Sequence, residues 1–363
     1  MSNDLITFTR GNPAPDAFPI ETLSECAEEI FRREGRVIFQ YGHYSGYAPL
    51  REWIANRYAV NYERVLLGNG SMEFMTFLSA AFLEDGDTVF LENPSYDRSI
   101  TAMKRAGARV VGIPVENDGI DIEKFKESLK HHSPKFFYTV PDFQNPTGIT
   151  TSLEKRETIV QLAREHGFLI IEDTPYQPLR YYGSDIVDYR TLLPEQVFHI
   201  SSFSKLLSPG LRVGLLIGPE SYMPTLHKWT EDTYIHPNLV AEGIVYEFCR
   251  NGHLMPQIER LKELYRPRLD GISASLNRHL AGKADWTTPQ GGFFVSVFLP
   301  DNIDGAALQA NAKDFGLVLS SGSGFFVDGA GDNFLRLPFC QMDPDETEEG
   351  IKRLSTALSS FAR

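Results

Sequence analysis

The stretch SSFSKLLSPGLRVGLLIGP, residues 201–219, places one lysine and one arginine in an otherwise apolar run. Lys205 follows the strand-like segment QVFHISS, and Arg212 comes seven residues later. Cations among apolar residues need partners, because removing an unpaired charge from water is costly. Either Lys205 is a surface lysine whose neighbours happen to be apolar, or the two cations face a polar partner inside the protein.

The chain on either side of this stretch alternates between strand-like and helix-like patterns. Apolar runs that end in glycine, proline or polar residues include ERVLLGNG, DTVFLENPSY, KFFYTVPDFQNPTG and FLIIEDTPY. Segments with helical spacing lie between them, as in SMEFMTFLSAAFLEDG and EKRETIVQLAREHG. The alternation over residues 60–220 predicts an α/β fold with a mainly parallel central sheet and helices on both faces. Ligands of such sheets bind outside the carboxyl ends of the strands.

The C-terminal part has a different pattern. GGFFVSVFLP alternates like a half-exposed strand, and NFLRLPFCQM predicts a second strand. The last helix begins with a capping signature, Asp343-Pro344 followed by Glu346. We predict a large domain over residues 41–255 and a small α+β domain over residues 256–363, which the N-terminal segment 1–40 joins.

Composition excludes several classes of protein. The 363 residues have a net charge of −13, which disfavours a nucleic-acid surface. Three scattered cysteines form neither a disulfide framework nor a metal-binding pair, which favours a reducing cytoplasm and no metal. The N-terminus has no apolar signal core, and no run of 18 apolar residues exists. We expect a soluble cytoplasmic protein with no membrane or nucleic-acid partner.

Polar residues at or after the predicted strand ends form one set with a shared chemistry. Each has an ordinary explanation when taken alone, as a turn residue, a helix cap or a surface charge. Together they supply what pyridoxal 5′-phosphate requires: a desolvated amine for its aldehyde, a carboxylate for its pyridine nitrogen, an aromatic ring for stacking, and hydroxyls with an arginine for its phosphate. The set is Ser71, Tyr96, Asn145, Asp173, Tyr176, Ser202, Ser204, Lys205 and Arg212.

Six motifs resemble those of one enzyme family. SSFSKLLSPGLRVG is similar to the lysine motif of the fold-type I pyridoxal-phosphate enzymes of aminotransferase class I/II. The other five are YGHYSGYAPLREW, GNGSMEF, PDFQNPTG, IIEDTPY and FLRLPF. The likeness is greatest to 2-aminoadipate and kynurenine-type aminotransferases and to the aminotransferase-like part of MocR-type regulators. It implies the transferase fold of type I and transfer of an amino group from an L-amino acid to a 2-oxo acid, with 2-oxoglutarate expected as acceptor.

The resemblance also implies a role for each matching residue. Lys205 is expected to form the Schiff base with the cofactor and to move protons, and Asp173 to pair with the pyridinium nitrogen. Asn145 and Tyr176 are expected to hold the 3′-oxygen, and Tyr96 to stack on the ring. The residues expected around the phosphate are Gly70, Ser71, Met72, Ser202, Ser204 and Arg212.

Three further residues complete the implied site. Tyr41 matches a tyrosine that in this family reaches the phosphate of the neighbouring subunit, which implies a homodimer. Arg336 is expected to bind the substrate α-carboxylate in a bidentate pair, beside Asn145. Gly11 is expected to let the backbone approach the substrate closely.

Some positions depart from the family pattern. Met72 stands where many relatives have Gln or a small residue, and Thr174-Pro175 replaces a second acid and an alanine. Proline fixes φ and lacks an N–H, so this loop is expected to differ in shape. Longer relatives have an extra N-terminal helix near the substrate, whereas this chain starts close to ITFTRGNP, so side-chain specificity stays open. Arg10 is either a ligand for a distal acid group or a surface arginine.

Other functions compete with transamination. A β-lyase or another amino-acid enzyme on the same fold is the first alternative, since the cofactor labilises several bonds. A non-catalytic ligand-sensing domain is a distant alternative, because no upstream DNA-binding module is expected and the chain is acidic. GNGSME at residues 68–73 lacks the third glycine of a dinucleotide fingerprint, which excludes that class of oxidoreductase.

Overall fold

The computed structural model describes residues 5–301 and 303–361. Its strands, in chain order, are β1 (Ile6–Phe8), β2 (Val65–Gly68), β3 (Thr88–Asn93), β4 (Arg109–Glu116), β5 (Gly119–Ile120), β6 (Pro134–Thr139), β7 (Leu169–Asp173), β8 (Val197–Ser202), β9 (Gly214–Ile217), β10 (Asp285–Trp286), β11 (Phe294–Phe298), β12 (Leu317–Leu319) and β13 (Phe334–Pro338).

The α-helices, in chain order, are α1 (Ile20–Ile38), α2 (Ala48–Tyr58), α3 (Ser71–Phe82), α4 (Asp97–Arg105), α5 (Ile122–His131), α6 (Leu153–His166), α7 (Tyr189–Leu192), α8 (Met223–Thr233), α9 (Leu239–Arg250), α10 (Leu254–His279), α11 (Gly305–Ala312) and α12 (Pro344–Phe361). None of the helices in the described part of the chain is long and apolar enough to cross a membrane.

Eight strands form the central sheet, in the order β2-β9-β8-β7-β6-β3-β4-β5. The pairs along β8-β7-β6-β3-β4 are all parallel. Strand β9 is antiparallel to both of its neighbours, and β5 is antiparallel to β4. Every residue of β7 and β8 is buried, as expected for parallel strands that are covered on both faces. The α/β fold with a mainly parallel sheet is therefore confirmed.

Alternate residues of the strands pack against helices on opposite faces of the sheet. On one face the ring of Phe137 in β6 lies 5.1 Å from that of Phe125 in α5. On the other face its neighbour Phe136 packs against Phe82 at the end of α3. This period of two follows from the pleat of a strand, which turns successive side chains to opposite sides. The helices thus leave the strand ends as the accessible edge of the sheet.

The remaining strands belong to two smaller sheets. Strands β10, β11 and β13 form an antiparallel sheet, and β1 pairs in parallel with β12. Asp343 caps α12 by accepting a hydrogen bond from the Glu346 backbone N–H at 2.8 Å, as the capping signature predicts. Pairing of Ile6 with Leu317 joins the N-terminal strand to the C-terminal part.

The division into domains stays a prediction, and the packing of α1 favours a change in its first boundary. Helix α1 packs against α9, which lies within the predicted large domain, 41–255. Only the segment before α1 pairs with strands of the predicted small domain, 256–363. The first boundary therefore fits better near residue 19 than at residue 40. Residues 1–4, 302 and 362–363 of the predicted domains lie outside the described residues.

Candidate active site

A cavity of about 210 Å³ lies at the carboxyl ends of the parallel strands. Ten of the residues predicted from the sequence line it: Ser71, Met72, Tyr96, Asn145, Asp173, Tyr176, Ser202, Ser204, Lys205 and Arg212. They come from separate loops that the strand order brings together. Tyr138 and Val140 also line the cavity, as do Pro175 and Pro209.

Lys205 lies in the turn that follows β8 and is half-buried. Its Nζ donates a hydrogen bond to the Gly11 carbonyl oxygen at 3.0 Å and lies 5.8 Å from the Tyr176 ring centroid. Burial lowers the pKa of the amine, and the Arg336 and Arg212 cations lower it further against the opposing effect of Cys340. An amine with a lowered pKa is neutral more often near neutral pH, which suits a nucleophile and a base.

Asp173 is the last residue of β7 and is buried. The Tyr138 hydroxyl donates to its Oδ2 at 2.9 Å, while its Oδ1 has no partner among the described residues. Burial raises the pKa of the carboxyl to about 6, and the Tyr138 hydrogen bond and His199 oppose this rise. A buried carboxylate oxygen without a donor is costly, so this site suits a ligand with a cationic N–H.

The opposite end of the cavity is formed by the first turn of α3. Gly70 precedes this helix at a φ of +99°, and a Cβ there would lie 2.2 Å from Nη2 of Arg212. Arg212 donates from Nη2 to the Asn69 carbonyl oxygen at 2.7 Å and is exposed rather than buried as its apolar neighbours suggested. The hydroxyls of Ser202 and Ser204 lie 2.8 Å apart. Helix N–H groups, hydroxyls and a guanidinium together suit a phosphate.

Arg336 in β13 binds two groups beside the cavity. Nη1 donates to Asn145 Oδ1 at 2.9 Å, and Nη2 donates to the Thr9 carbonyl oxygen at 2.7 Å. Burial lowers the pKa of the guanidinium. Gly11 lies against Phe294, where a Cβ would come within 2.3 Å of the ring. The backbone of residues 9–11 thus lies between Arg336 and Lys205, with the exposed Arg10 side chain at that point.

Tyr41 lies apart from the cavity within a single chain. Its side chain is 75% exposed, and its ring lies 6.0 Å from that of His236. Together they border a separate surface depression with Asn238 and Leu239. A role for Tyr41 in this chain's own phosphate site therefore has no support from these contacts, and the prediction that it acts in a neighbouring subunit stays a prediction.

The Thr174-Pro175 loop keeps Tyr176 beside the cavity. The Thr174 hydroxyl donates to the Ile200 carbonyl oxygen at 3.1 Å, and Pro175 lines the cavity wall. The Tyr176 ring packs 5.6 Å from that of Phe293, and burial raises the pKa of its hydroxyl. The departure from the family sequence thus leaves Asp173 and Tyr176 on the same cavity.

Three supporting residues escaped the sequence analysis. Tyr138 holds Asp173, and Glu92 accepts hydrogen bonds from Thr139 Oγ1 at 2.7 Å and from Gln144 Nε2 at 3.0 Å. Gln144 in turn accepts from the Thr147 N–H at 3.0 Å, which fixes the loop that contains Asn145. Burial raises the pKa of Glu92 to about 7. In the sequence, only one feature points to these residues: each lies within or next to a predicted strand that leads into a loop of the site.

One group of three potential metal ligands occurs within residues 5–301 and 303–361: Glu172, Asp188 and His199. Hydrogen bonds account for all three side chains. Glu172 accepts from the Tyr189 N–H at 2.7 Å and contacts His199 Nδ1 at 3.0 Å, and Asp188 accepts from the Thr191 N–H at 2.8 Å. The group therefore acts as a structural network behind β7.

Known proteins are similar to this chain in both sequence and fold. The family described as "Aminotransferase class I and II" matches residues 3–354. The chain is 33% identical to 2-aminoadipate transaminase of Thermus thermophilus, over 98% of this chain and 91% of that protein. It is 30% identical to aromatic-amino-acid aminotransferase 1 of Thermococcus litoralis, over 98% and 88%.

The crystal structure of the α-aminoadipate aminotransferase LysN from Thermus thermophilus, complexed with N-(5′-phosphopyridoxyl)-L-leucine, covers 99% of this chain with a TM-score of 0.94. The match spans 93% of that chain at 33% identity. The unpaired Asp173 Oδ1, the desolvated Lys205 and the phosphate-binding end of the cavity all fit this cofactor. The predicted family, fold type, cofactor and chemistry are confirmed: the chain belongs to the class I and II aminotransferases, whose amino-group transfer uses pyridoxal 5′-phosphate.

Proposed function

We propose that this chain transfers an amino group from an L-amino acid to 2-oxoglutarate through Lys205, in the cavity described above. The observation that supports this most directly is the arrangement of Lys205 and the unpaired Asp173 Oδ1 around one cavity, with the α3 N-terminus at its other end. When bound, the cofactor supplies an aldehyde for amino groups and a ring that accepts electrons from the substrate Cα.

Lys205 is the proposed acid and base of the reaction. Its lowered pKa favours the neutral amine, so Nζ could take the proton from the substrate Cα and deliver it to the aldehyde carbon of the cofactor, two bonds away. The Gly11 carbonyl oxygen, 3.0 Å from Nζ, gives the free amine a fixed resting position. A positioned base of this kind avoids the entropy cost of bringing an amine from solution.

Asp173 keeps a proton on the pyridine nitrogen in this proposal, and that charge lets the ring accept electrons. Asn145 and Tyr176 hold the 3′-oxygen, and Tyr96 stacks on the ring. The N–H groups of Gly70, Ser71 and Met72, together with Ser202, Ser204 and Arg212, bind the phosphate.

Arg336 binds the substrate α-carboxylate, with Asn145 beside it. In the present structure the Asn145 oxygen and the Thr9 carbonyl oxygen occupy its two Nη atoms. A carboxylate can take their place in a bidentate pair, which orients the bond from Cα to hydrogen relative to the ring. Gly11 keeps this approach open.

The proposed chemistry is tested by incubating the purified protein with each amino acid and 2-oxoglutarate. A transaminase forms glutamate and the matching 2-oxo acid. A β-lyase instead releases pyruvate and ammonia without an acceptor, and that result would refute the proposal. The names of the relatives make 2-aminoadipate and the aromatic amino acids the first donors to test.

We further propose a homodimer in which Tyr41 reaches the phosphate of the partner subunit. Exposed apolar residues lie near Tyr41 or its ring partner His236 in the sequence: Val37 at 52%, Phe39 at 66% and Ile235 at 64% exposure. An apolar surface of this kind favours an interface between protein chains. The three free, buried cysteines Cys26, Cys249 and Cys340 support the proposed cytoplasmic location.

Mixed dimers test the role of Tyr41. Lys205→Ala and Tyr41→Ala proteins are each expected to have little activity. In a mixed dimer, the Tyr41→Ala subunit keeps its own Lys205 and receives Tyr41 from the Lys205→Ala subunit, so one site is complete and activity returns. No return of activity in demonstrated mixed dimers would show that Tyr41 does not act across the interface.

A further inference from the structure

Two aromatic rings contact the guanidinium of Arg336. Its Cζ lies 4.7 Å from the ring centroid of Phe294 and 4.6 Å from that of Phe325. Phe294 belongs to β11, the strand that pairs with the Arg336 strand. Phe325 is buried at 4% exposure and ends a short 3₁₀ turn, Ser323–Phe325. Rings at these distances attract a cation and restrict its orientation.

Hydrogen bonds fix the segment that contains Phe325, residues 321–328, to the end of β3, to the loop after it and to α4. The Phe325 carbonyl oxygen accepts from the Ser95 N–H at 2.8 Å, and the Val327 N–H donates to Asn93 Oδ1 at 3.0 Å. Lys104 Nζ also donates to the Val327 carbonyl oxygen at 2.7 Å. Ser95 directly precedes Tyr96. The Phe325 ring is thus held by the segment that positions the proposed cofactor-stacking tyrosine.

We propose that Phe325 is a positioning residue that sets the orientation of the Arg336 guanidinium relative to Tyr96, and through it the affinity for the substrate α-carboxylate. This rests on the proposed role of Arg336. Arg336 Nε has no hydrogen-bond partner among the described residues, so its two Nη contacts and the rings determine its plane. A guanidinium held in one plane binds a carboxylate with less loss of side-chain entropy.

The test compares two reagents that each form an oxime with the bound cofactor aldehyde. Aminooxyacetate has a carboxylate and O-methylhydroxylamine does not, so the ratio of their second-order rate constants measures recognition of the carboxylate. The measurement does not require the enzyme's preferred amino-acid side chain to be known. Stopped-flow absorbance follows both reactions in the holoenzyme without turnover. The variants are Phe325→Leu, Phe325→Tyr, which keeps the ring, and Arg336→Gln. The matched control is Phe326→Leu. Both rings pack against Phe334, at 5.4 Å for Phe326 and 6.1 Å for Phe325, but of the two only Phe325 contacts the Arg336 guanidinium.

Loss of one ring contact in Phe325→Leu is expected to lower the rate constant for aminooxyacetate about 3- to 30-fold. The rate constant for O-methylhydroxylamine should stay within about twofold of the wild-type value. Phe325→Tyr and the Phe326→Leu control should keep the wild-type ratio. One outcome refutes the role of Phe325 and leaves that of Arg336 intact. In it, Arg336→Gln abolishes the preference for aminooxyacetate, whereas Phe325→Leu keeps the wild-type ratio of rate constants or slows both reagents equally. If Arg336→Gln keeps the ratio, the proposed carboxylate site is refuted, and the role of Phe325 with it.

Discussion

Replacing Asp173 with Asn should stabilise the protein without its cofactor while removing its activity. Burial raises the pKa of this carboxyl from 3.8 to about 6 in the folded chain. At 1.36 kcal/mol per pKa unit, ionisation of Asp173 then costs the folded state about 3 kcal/mol at neutral pH. The unpaired Oδ1 is the structural reason, because no group in the described chain compensates the charge on it.

The sign of the pH dependence follows from the raised pKa. The contribution of Asp173 to stability is fully present below the unfolded pKa and is lost as pH rises through the folded value. Asn does not ionise, so the free energy of unfolding of the Asn variant relative to wild type should increase by about 2 kcal/mol between about pH 4 and pH 7 and stay constant above that. The amide N–H left without an acceptor adds a constant cost, which cancels when the two pH values are compared.

Urea unfolding of both proteins, stripped of cofactor, measures this difference. The exposed Asp285, changed to Asn, is the matched control and should show no comparable growth with pH. With pyridoxal 5′-phosphate bound, the order should reverse, since only the carboxylate can pair with a ring cation. If the difference in unfolding free energy between Asp173→Asn and the wild type does not depend on pH, burial does not destabilise the ionised carboxylate in the cofactor-free protein, and the argument is refuted.

Three further substitutions have separate outcomes. Lys205→Ala should leave no cofactor fixed to the protein after borohydride reduction, as seen by mass spectrometry, and a retained adduct would identify a different lysine. Tyr138→Phe removes the hydrogen bond that lowers the Asp173 pKa, so in the cofactor-free protein the pH at which this carboxyl ionises should move up by about one unit, as measured from the pH dependence of urea unfolding. Arg10→Gln should raise KM for 2-aminoadipate about 2- to 5-fold and leave KM for phenylalanine unchanged if Arg10 binds a distal acid; equal effects on both donors would place it at the surface only.

The sequence predicted the residues that end a strand better than the residues that support them. Asp173 and Ser202 follow apolar runs whose direction is clear, and parallel strands must present their carboxyl ends at one edge. Tyr138 and Glu92 lie inside strands, where a polar side chain has meaning only once the neighbouring strand is known. The order β7-β6-β3 brings Tyr138 to Asp173 and Glu92 to Gln144, and nothing local in the sequence specifies that order.

Phe325 was missed for a related reason. Its partner Arg336 is eleven residues away in sequence, and the 3₁₀ turn that directs the ring depends on hydrogen bonds to Ser95 and Asn93 in a distant part of the chain. An aromatic residue in such a segment predicts burial and no more. The contact with the guanidinium depends on Ser95 and Asn93, which hold the turn in place and lie far from it in the sequence.

The position of Arg212 depends on the direction of β9. Gly214, the first residue of this strand, pairs with both Gly68 and Ser202, each the last residue of its own strand. Because β9 is antiparallel to β2 and β8, the residues just before it lie beyond the carboxyl ends of both neighbours. Arg212 therefore meets Asn69 and Gly70, although Lys205 is nearer to it in sequence. A parallel β9 would direct Arg212 to the opposite edge of the sheet, so the antiparallel direction of β9 is what keeps both cations at the edge where the cavity lies.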